Sequence, residues 1–259
     1  MNILEQIAYS KKQEVALHQA HFSIEQLIDA GHYHRVCNSM KQALLKSESG
    51  IIAEFKRKSP SKGFIHADAL VEEIIPGYVA AGASAISVLT DEPYFGGTGK
   101  DLIMARSLTD KTPLLRKDFI VDEYQIYEAK ALGADVILLI AAILGRQQCK
   151  DYAALAHELG MEVLLEIHDE EELSFIHPNA DMIGVNNRNL KTFVTEIQTS
   201  IRLSTQIPEG YVKVAESGIL LPETVRELRD AGFNGFLMGE TFMRELSPSD
   251  ALTSFISSL

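Results

Sequence analysis

The sequence has few cysteines and no long apolar run. Cys37 and Cys149 are its only cysteines, and neither belongs to a CxxC motif, so no disulfide framework is expected. The longest apolar run, 136–144, is far shorter than the roughly 20 residues that a membrane-spanning helix needs. The first residues, 1–14, lack the apolar core of a signal peptide. These absences predict a soluble, cytoplasmic protein.

Positive charge is also scarce. The chain has 24 lysines and arginines against 36 aspartates and glutamates, which gives a net charge of −12. Nucleic acids and anionic membranes are bound through clustered Lys and Arg side chains, so neither is an expected partner. An anionic ligand would need a local binding site.

Signatures of common metal and nucleotide sites are missing too. There is no HExxH or Cys/His zinc pattern, and the eight histidines, including His32 and His34, are interpreted as surface or core residues. The GGTGK segment at 96–100 lacks the spacing of a P-loop and is predicted to be a flexible loop.

From residue 50 onward, short apolar runs alternate with longer amphipathic segments. This alternation is typical of βα units around a parallel sheet. Helices are predicted in every gap, one of them opening at Pro222 and another at the acidic run 169–172. The eight predicted strands are 50–56, 84–90, 113–118, 135–141, 161–167, 181–186, 211–216 and 234–239.

A coarse internal repeat indicates how these units are arranged. Gly82, Gly133 and Gly232 introduce even-numbered strands and are 51 and 99 residues apart, which indicates a module of two βα units. Four such modules close a (βα)₈ barrel. An open doubly wound sheet is the alternative, but no GxGxxG follows the first strand and eight parallel strands exceed what such sheets usually need. We therefore predict an α/β protein with a TIM-barrel fold.

Residues 1–48 differ in character from the rest and are predicted to be helical. Apolar residues recur at the helical period over 3–16, and Ser23 with Gln26 forms a capping box. We predict one barrel domain over 1–259, of which 1–48 is an N-terminal helical extension packed on the barrel.

Proline interrupts the first predicted barrel helix, at 68–81. Pro76 and Gly77 fall in its middle, where proline removes a hydrogen bond and clashes with the preceding turn. The sequence predicts either a kink or a late start of this helix.

In a (βα)₈ barrel the chemistry takes place at the C-terminal ends of the strands. Polar side chains occur at these ends in five of the predicted strands, although the strands are otherwise apolar. Polar residues of an ordinary solvent-exposed surface are not found at the corresponding end of so many strands. We therefore predict an active site there. The residues are Glu54, Lys56, Lys117, Glu166, Asn186, Arg188 and Glu216.

The first strand brings an acid and a base to the same side. Glu54 and Lys56 are two residues apart, so their side chains share one face, although a weak surface ion pair would give the same pattern. Lys117 at the rim near Lys56 suits a proton donor whose pKa is lowered by the neighbouring cation. Glu166 lies between two apolar residues and needs a partner, either Lys117 or Lys56.

Residues at the last two strand ends predict an anion site. Ser217 and Gly218 after the seventh strand, and Gly239 after the eighth, lie where many barrels bind phosphate through backbone N–H groups. Each glycine alone is equally typical of a plain tight turn. The fork of Arg188 suits a carboxylate or phosphate ligand, with a loop-capping role as the alternative.

Together, seven segments resemble the indole-3-glycerol-phosphate synthase family of tryptophan biosynthesis. They cover every strand end from 51 to 244 in order, and the N-terminal extension is similar to that family's as well. The segments are IIAEFKRKSPSKG (51–63), SAISVLTDEPYFGG (84–97), LLRKDFIVDEYQIYEAKALGAD (114–135), EVLLEIHDEEEL (162–173), IGVNNRNL (183–190), KVAESGI (213–219) and FLMGETFMR (236–244).

The resemblance implies a TIM-barrel enzyme that acts on 1-(2-carboxyphenylamino)-1-deoxyribulose 5-phosphate without a cofactor or metal. The ring carbon that bears the carboxylate attacks the ribulose carbonyl, carbon dioxide leaves, and loss of water completes the indole. Lys117 would be the general acid on the carbonyl oxygen, Lys56 would lie near the substrate carboxylate, and Glu166 would serve the later proton transfers. Residues that would orient the substrate and the lysines are Glu54, Asn186, Arg188 and Glu216.

The resemblance also implies where the two ends of the substrate bind. Phe95 and Phe119 would form the apolar wall for the aromatic ring. A carboxylate repels phosphate, so Glu240 is expected to offer only its backbone N–H, with its side chain turned away. The phosphate site would comprise Ser59, Ser217, Gly218, Gly239 and Glu240.

Two other functions remain open from the sequence. One is a sugar-phosphate isomerase similar to phosphoribosylanthranilate isomerase, which the paired lysines and the KRKSPS and KDFIV segments disfavour. The other is a non-catalytic barrel that binds a sugar phosphate or a partner protein. The expected partner is a small sugar phosphate, and no obligate protein partner is expected. Since no second barrel follows residue 259, a monofunctional enzyme is expected.

Overall fold

Eight parallel strands form a closed barrel in this computed structural model, which describes residues 3–189 and 194–259. Each strand pairs with its neighbours in sequence, and the last pairs with the first. Every predicted strand is present, one residue shorter at one or both ends, which confirms the TIM-barrel prediction. The strands are β1 Ile51–Phe55, β2 Ala85–Leu89, β3 Leu114–Lys117, β4 Val136–Ile140, β5 Glu162–Ile167, β6 Met182–Asn186, β7 Val212–Glu216 and β8 Gly235–Met238.

Alternate positions of each strand point into the barrel. The interior is filled by a buried apolar cluster that includes Ile52, Leu115, Leu164, Val214 and Leu237. A strand repeats its side-chain direction every two residues, so the next inward positions fall at the C-terminal ends of the strands. Those positions carry Glu54, Lys117, Glu166, Glu216 and Gly239.

The N-terminal extension consists of three helices, α1 Ile3–His21, α2 Ile24–Ile28 and α3 Met40–Lys46. The predicted capping box is confirmed, because the Ser23 hydroxyl accepts from the Gln26 N–H while the Gln26 side chain accepts from the Ser23 N–H. No helix within the described residues is long and apolar enough to cross a membrane.

Helix α3 closes the N-terminal end of the barrel. Met40 and Leu44 are buried in the interior cluster. Acidic residues at the beginnings of two strands fix the chain around them: Asp135 accepts from the Asn38 N–H at 2.7 Å, and Glu162 accepts from the Lys41 N–H at 2.9 Å. The barrel is therefore filled and closed at this end, which leaves its opposite end available for a site.

The remaining helices surround the barrel, and α10 begins at Pro222 as predicted. Between β5 and β6 the predicted helix is present as a short 3₁₀ helix that begins at Glu171, within the acidic run 169–172, and Asp169 accepts from the N–H groups of its first two residues. The helices are α4 Val71–Ala80, α5 Glu92–Phe95, α6 Gly99–Leu108, α7 Tyr124–Leu132, α8 Arg146–Glu158, α9 Gln198–Ser204, α10 Pro222–Asp230, α11 Glu240–Met243 and α12 Pro248–Ile256, with 3₁₀ helices at Ala141–Ile143 and Glu171–Phe175.

The prediction of a flexible loop over 96–100 is wrong for its last two residues. Gly99 and Lys100 form the first turn of α6. The carboxylate of Asp101 accepts from the Thr98 N–H at 2.8 Å, which satisfies a donor at the start of the helix.

Helix α4 starts at Val71, later than the first predicted residue, and continues through Pro76. Packing against α12 explains why residue 77 is a glycine. A Cβ atom at Gly77 would lie 1.9 Å from the Ser249 hydroxyl oxygen on α12. The glycine therefore lets α4 and α12 pack closely against each other.

Candidate active site

A cavity of about 420 Å³ opens at the C-terminal ends of the strands. All fourteen residues that the sequence predicted for the site line this cavity. They come from seven of the eight strands or the loops that follow them. The structure thus brings the predicted residues together, and the role of each stays a prediction.

Lys117 lies at the centre of a buried ion cluster. Its Nζ atom is 2.8 Å from Glu166 Oε2 and 2.7 Å from Glu216 Oε2. Burial by itself would lower the pKa of Lys117, but the surrounding carboxylates outweigh it and raise the pKa above its ordinary value. The prediction that a neighbouring cation lowers this pKa is therefore wrong. Lys56 has its own carboxylate partner, and carboxylates rather than cations dominate the surroundings of Lys117.

The two carboxylates that share Lys117 differ in charge state. Burial raises the pKa of Glu216 to about 7, since Lys117 compensates for only part of it and Glu166 adds repulsion. Burial acts in the same direction on Glu166, but Lys117 and His168 hold its pKa well below the ordinary value. Glu166 is therefore the more acidic of the two carboxyl groups, and Glu216 holds its proton more tightly.

Glu54 and Lys56 form a second pair at the end of β1, with Nζ and Oε1 2.5 Å apart. Two glycines make room for the carboxylates of the site. A Cβ atom at Gly239 would lie 2.4 Å from Glu54 Oε1, and a Cβ atom at Gly184 would lie 2.4 Å from Glu216 Oε1. The lack of a side chain at these positions is therefore a steric requirement of the site.

Asn186 and Arg188 connect the end of β6 to its neighbours. The amide of Asn186 donates to Glu166 Oε1 at 3.2 Å, and its oxygen accepts from the Arg188 N–H at 3.0 Å. The Arg188 guanidinium donates to the Ser61 hydroxyl at 3.0 Å. Arg188 therefore joins the loop after β6 to the loop after β1.

The turn after β7 has an unusual backbone. Ser217 and Gly218 both have positive φ values, 67° and 77°, and Ser217 is the one non-glycine residue with positive φ in the described chain. Its carbonyl accepts from the buried Asn187 amide at 3.1 Å, which fixes the turn. Backbone of this kind is typical of functional loops. In the same cavity, the hydroxyl of Ser59 is buried and has no hydrogen-bond partner among the described residues.

The side chain of Glu240 forms an ion pair with Lys62. Burial would raise the pKa of Glu240, but Lys62 and the more distant charges of Lys56 and Arg188 lower it. The carboxylate therefore remains charged and is neutralised by Lys62. Three cations surround this side of the cavity.

Aromatic side chains form another wall. The rings of Phe95 and Phe119 lie with their centroids 6.0 Å apart, and Tyr94 meets Phe119 edge-on at 6.4 Å. These rings provide apolar aromatic surface against which an aromatic ligand can pack.

Helix α1 contributes to the site, although its sequence pattern predicts only a helix. Ile3, Leu4 and Ile7 of this helix line the cavity. Further along the helix, Lys11 is buried and its Nζ atom lies 2.9 Å from Asp91 Oδ2 and 3.1 Å from Asp118 Oδ1. No signal in one sequence pairs Lys11 with aspartates 80 and 107 residues further along the chain.

No group of three or more His, Cys, Asp or Glu side chains is placed to hold a metal ion in the part of the chain that the structure describes. The chemistry available in the cavity is that of three lysines, an arginine, four glutamates and oriented backbone groups. A closed (βα)₈ barrel with acids and bases converging in an apolar-walled cavity defines an acid–base enzyme.

Comparison with known proteins gives the particular family. The family model described as "Indole-3-glycerol phosphate synthase" matches residues 4–255. The chain therefore belongs to the indole-3-glycerol phosphate synthase family, and the resemblance seen in the motifs is confirmed. With it the predicted activity is confirmed as that of a decarboxylating lyase of tryptophan biosynthesis, and the isomerase and non-catalytic alternatives are set aside.

Relatives of known function match along nearly their whole length. An indole-3-glycerol phosphate synthase from Bacteroides thetaiotaomicron is 55% identical over 258 residues, covering 100% of this chain and 99% of the relative. Another from Magnetococcus marinus is 43% identical over 264 residues, covering 99% and 98%.

Solved structures with low identity support the fold alone. The tryptophan synthase alpha subunit from Legionella pneumophila has a TM-score of 0.61 at 14% identity, covering 85% of this chain and 96% of that one. The 3-hexulose-6-phosphate synthase from Salmonella typhimurium has a TM-score of 0.61 at 11% identity, covering 81% and 99%.

Proposed function

We propose that this chain converts 1-(2-carboxyphenylamino)-1-deoxyribulose 5-phosphate into indole-3-glycerol phosphate, carbon dioxide and water, with Lys117 as the general acid. The observation that carries the proposal is the position of the Lys117 ammonium group, held by two carboxylates inside a cavity that has an apolar wall on one side and cations on another.

Lys117 acts in the ring closure. The ring carbon that bears the carboxylate forms a bond to the ribulose carbonyl carbon, and negative charge develops on the carbonyl oxygen. Because its neighbours keep Lys117 charged, its ammonium group stabilises this oxygen and donates a proton to it. The resulting hydroxyl group later leaves as water.

Lys56 and the carboxylates serve the other steps. Lys56, oriented by Glu54, binds the substrate carboxylate until carbon dioxide leaves and assists the loss of water. Glu166 is ionised and accepts the proton that is removed as the indole forms. Asn186 and Glu216 orient Glu166 and Lys117.

The two ends of the substrate are held on opposite sides of the cavity. The phosphate binds to the backbone N–H groups of the turns at Ser217–Gly218 and Gly239–Glu240, to the Ser59 hydroxyl and to Arg188. The negative charge of Glu240 is offset by Lys62, which supports the proposal that only its backbone serves the phosphate. The aromatic ring packs against Phe95 and Phe119.

Turnover by purified, EDTA-treated protein tests this proposal. Formation of the fluorescent indole product is followed for the wild type, for Lys117→Met and for Lys150→Met, which changes an exposed lysine on α8. We expect kcat of Lys117→Met to fall by roughly 10²- to 10⁴-fold with KM nearly unchanged, and no effect at Lys150. Turnover by Lys117→Met at the wild-type rate would overturn the role assigned to Lys117. If none of the three proteins formed product, the proposed reaction or the metal-free mechanism would be overturned.

We further propose that the enzyme works in the cytoplasm, without a cofactor. Both cysteines, Cys37 and Cys149, are unpaired, which is consistent with a reducing compartment.

A further inference from the structure

We propose that His168 is a positioning residue for Glu166, held as a cation by Glu172, and that it acts through Glu166 rather than on the substrate. The inference rests on the proposed role of Glu166 as a base. His168 lies outside the residues that line the cavity, so it acts on a bound substrate only through Glu166.

The placement of His168 follows from the end of β5. Glu166 and His168 are two residues apart and point to the same side. The His168 Nε2 atom lies 3.1 Å from Glu166 Oε1, an ion-pair contact without the geometry of a directed hydrogen bond. The side chain of His168 is only 10% exposed, so water screens this contact little.

Glu172 fixes the imidazole from the other side. Its Oε2 atom lies 3.0 Å from His168 Nδ1 and also accepts from the His168 backbone N–H at 2.7 Å. Glu172 returns to His168 because Asp169 caps the 3₁₀ helix Glu171–Phe175, accepting from the N–H groups of Glu171 and Glu172.

Both imidazole nitrogens therefore face carboxylate oxygens. A neutral imidazole would direct one lone pair at a carboxylate, whereas the charge of an imidazolium ion is attracted to both carboxylates. Burial would lower the pKa of His168, but Glu166 and Glu172 raise it to about 10. The other titratable group near Glu172 is Cys149 on α8, and burial raises the pKa of its thiol to about 12, so it is uncharged.

The charge on His168 accounts for the difference in pKa between Glu166 and Glu216, the two carboxyl groups that share Lys117. Glu166 has three positive or donor groups around it, from Lys117, His168 and Asn186. Glu216 accepts a hydrogen bond from Lys117 at Oε2. Its Oε1 atom has no hydrogen-bond partner in the described part of the chain. His168 thus directs ionisation to Glu166 and leaves the proton to Glu216.

The test compares His168→Gln and Glu172→Gln with the wild type. The matched control is His177→Gln, which removes a buried histidine away from the cavity. In His168→Gln we expect the acid limb of the kcat/KM profile to move up by about one pH unit, with kcat/KM within about threefold of the wild type near pH 9, because the pKa of Glu166 rises without the cation. Glu172→Gln should give a smaller shift in the same direction, and His177→Gln none.

An infrared titration of the carboxyl groups gives a second readout that needs no turnover. The Glu166 signal, identified by its loss in Glu166→Gln, should titrate about one pH unit higher in His168→Gln. An unchanged titration, or a loss of activity equal at all pH values, would overturn the proposal. If the wild type made no product, the proposed reaction would fail, but the titration would still decide the role of His168.

Discussion

At the scale of single residues, the site shows how neighbours decide the charge of identical side chains. Glu166 and Glu216 are both buried and both touch Lys117, yet the pKa of one is lowered well below its ordinary value and that of the other is raised to about 7. The number of cationic and donor groups around each carboxylate explains the difference.

The raised pKa of Glu216 predicts a pH-dependent effect of Glu216→Gln on stability. Its ordinary pKa is 4.5 and its pKa in the folded protein is about 7. Between these values the unfolded chain loses the proton while the folded protein keeps it, so the contribution of Glu216 is favourable at low pH and is lost as pH rises. Relative to the wild type, the free energy of unfolding of Glu216→Gln should increase between pH 4.5 and about 7 and then level off. Urea unfolding at several pH values measures this difference, and a constant difference would contradict the assigned pKa.

Gly239→Ala should impair catalysis without unfolding the protein. The added Cβ atom would lie 2.4 Å from Glu54 Oε1, so the carboxylate that orients Lys56 must move. We expect kcat/KM to fall roughly 10- to 100-fold, as displaced catalytic groups commonly cost. Steady-state kinetics with thermal unfolding checks this. Gly145→Ala is the control, since its Cβ would meet nothing within 4 Å and its φ is −77°. Equal activity of the two variants would show that Gly239 is not required.

Residue periodicity explains which parts of the site could be predicted. Strand alternation places the side chains of Glu54 and Lys56 on the same face. The apolar neighbours of Glu166 indicate that it needs a partner, and in the structure this partner is Lys117. The direction of the Lys117 pKa shift was wrong because it depends on distances between strands that alternation does not give. His168 was interpreted as an ordinary surface or core residue, since the return of Glu172 depends on a turn that sequence periodicity does not specify.

At the scale of elements, the N-terminal helix α1 is part of the candidate active site. Its Ile3, Leu4 and Ile7 side chains line the cavity, and Lys11 anchors it beside β3 through Asp118, the residue after Lys117. The amphipathic pattern predicted a helix but could not identify the surface that it covers.

Lys11→Met should loosen α1 and weaken substrate binding. The substitution leaves the buried carboxylate of Asp91 without its cation, whereas Asp118 keeps Arg116 at 3.0 Å, and an unpaired buried charge typically costs about 3 kcal/mol. Because α1 forms a wall of the cavity and holds no assigned acid or base, KM should rise while kcat changes less than about twofold.

Urea unfolding and steady-state kinetics measure both effects for Lys11→Met. Lys12→Met, at the next and exposed position, is the control. A stability and a KM equal to those of the control would contradict the anchoring role of Lys11.

At the scale of the whole molecule, the barrel collects residues from positions 54 to 240 in one cavity because parallel strands end on the same side. The extension contributes at both ends, since α3 fills the N-terminal end and α1 lines the cavity at the other. We propose on this basis that residues 1–259 fold as one domain. The number of strands and their parallel arrangement could be predicted from the repeat. The packing of the N-terminal extension on the barrel could not, because it depends on contacts between residues that are distant in sequence.

A crystal structure with indole-3-glycerol phosphate bound tests the central claim most directly. The account predicts the phosphate at the Ser217–Gly218 and Gly239–Glu240 turns, the indole ring against Phe95 and Phe119, and the Lys117 ammonium group between them beside the newly closed ring. A product bound in the reverse direction, with its phosphate on Lys117 and its ring at the glycine turns, would contradict the account.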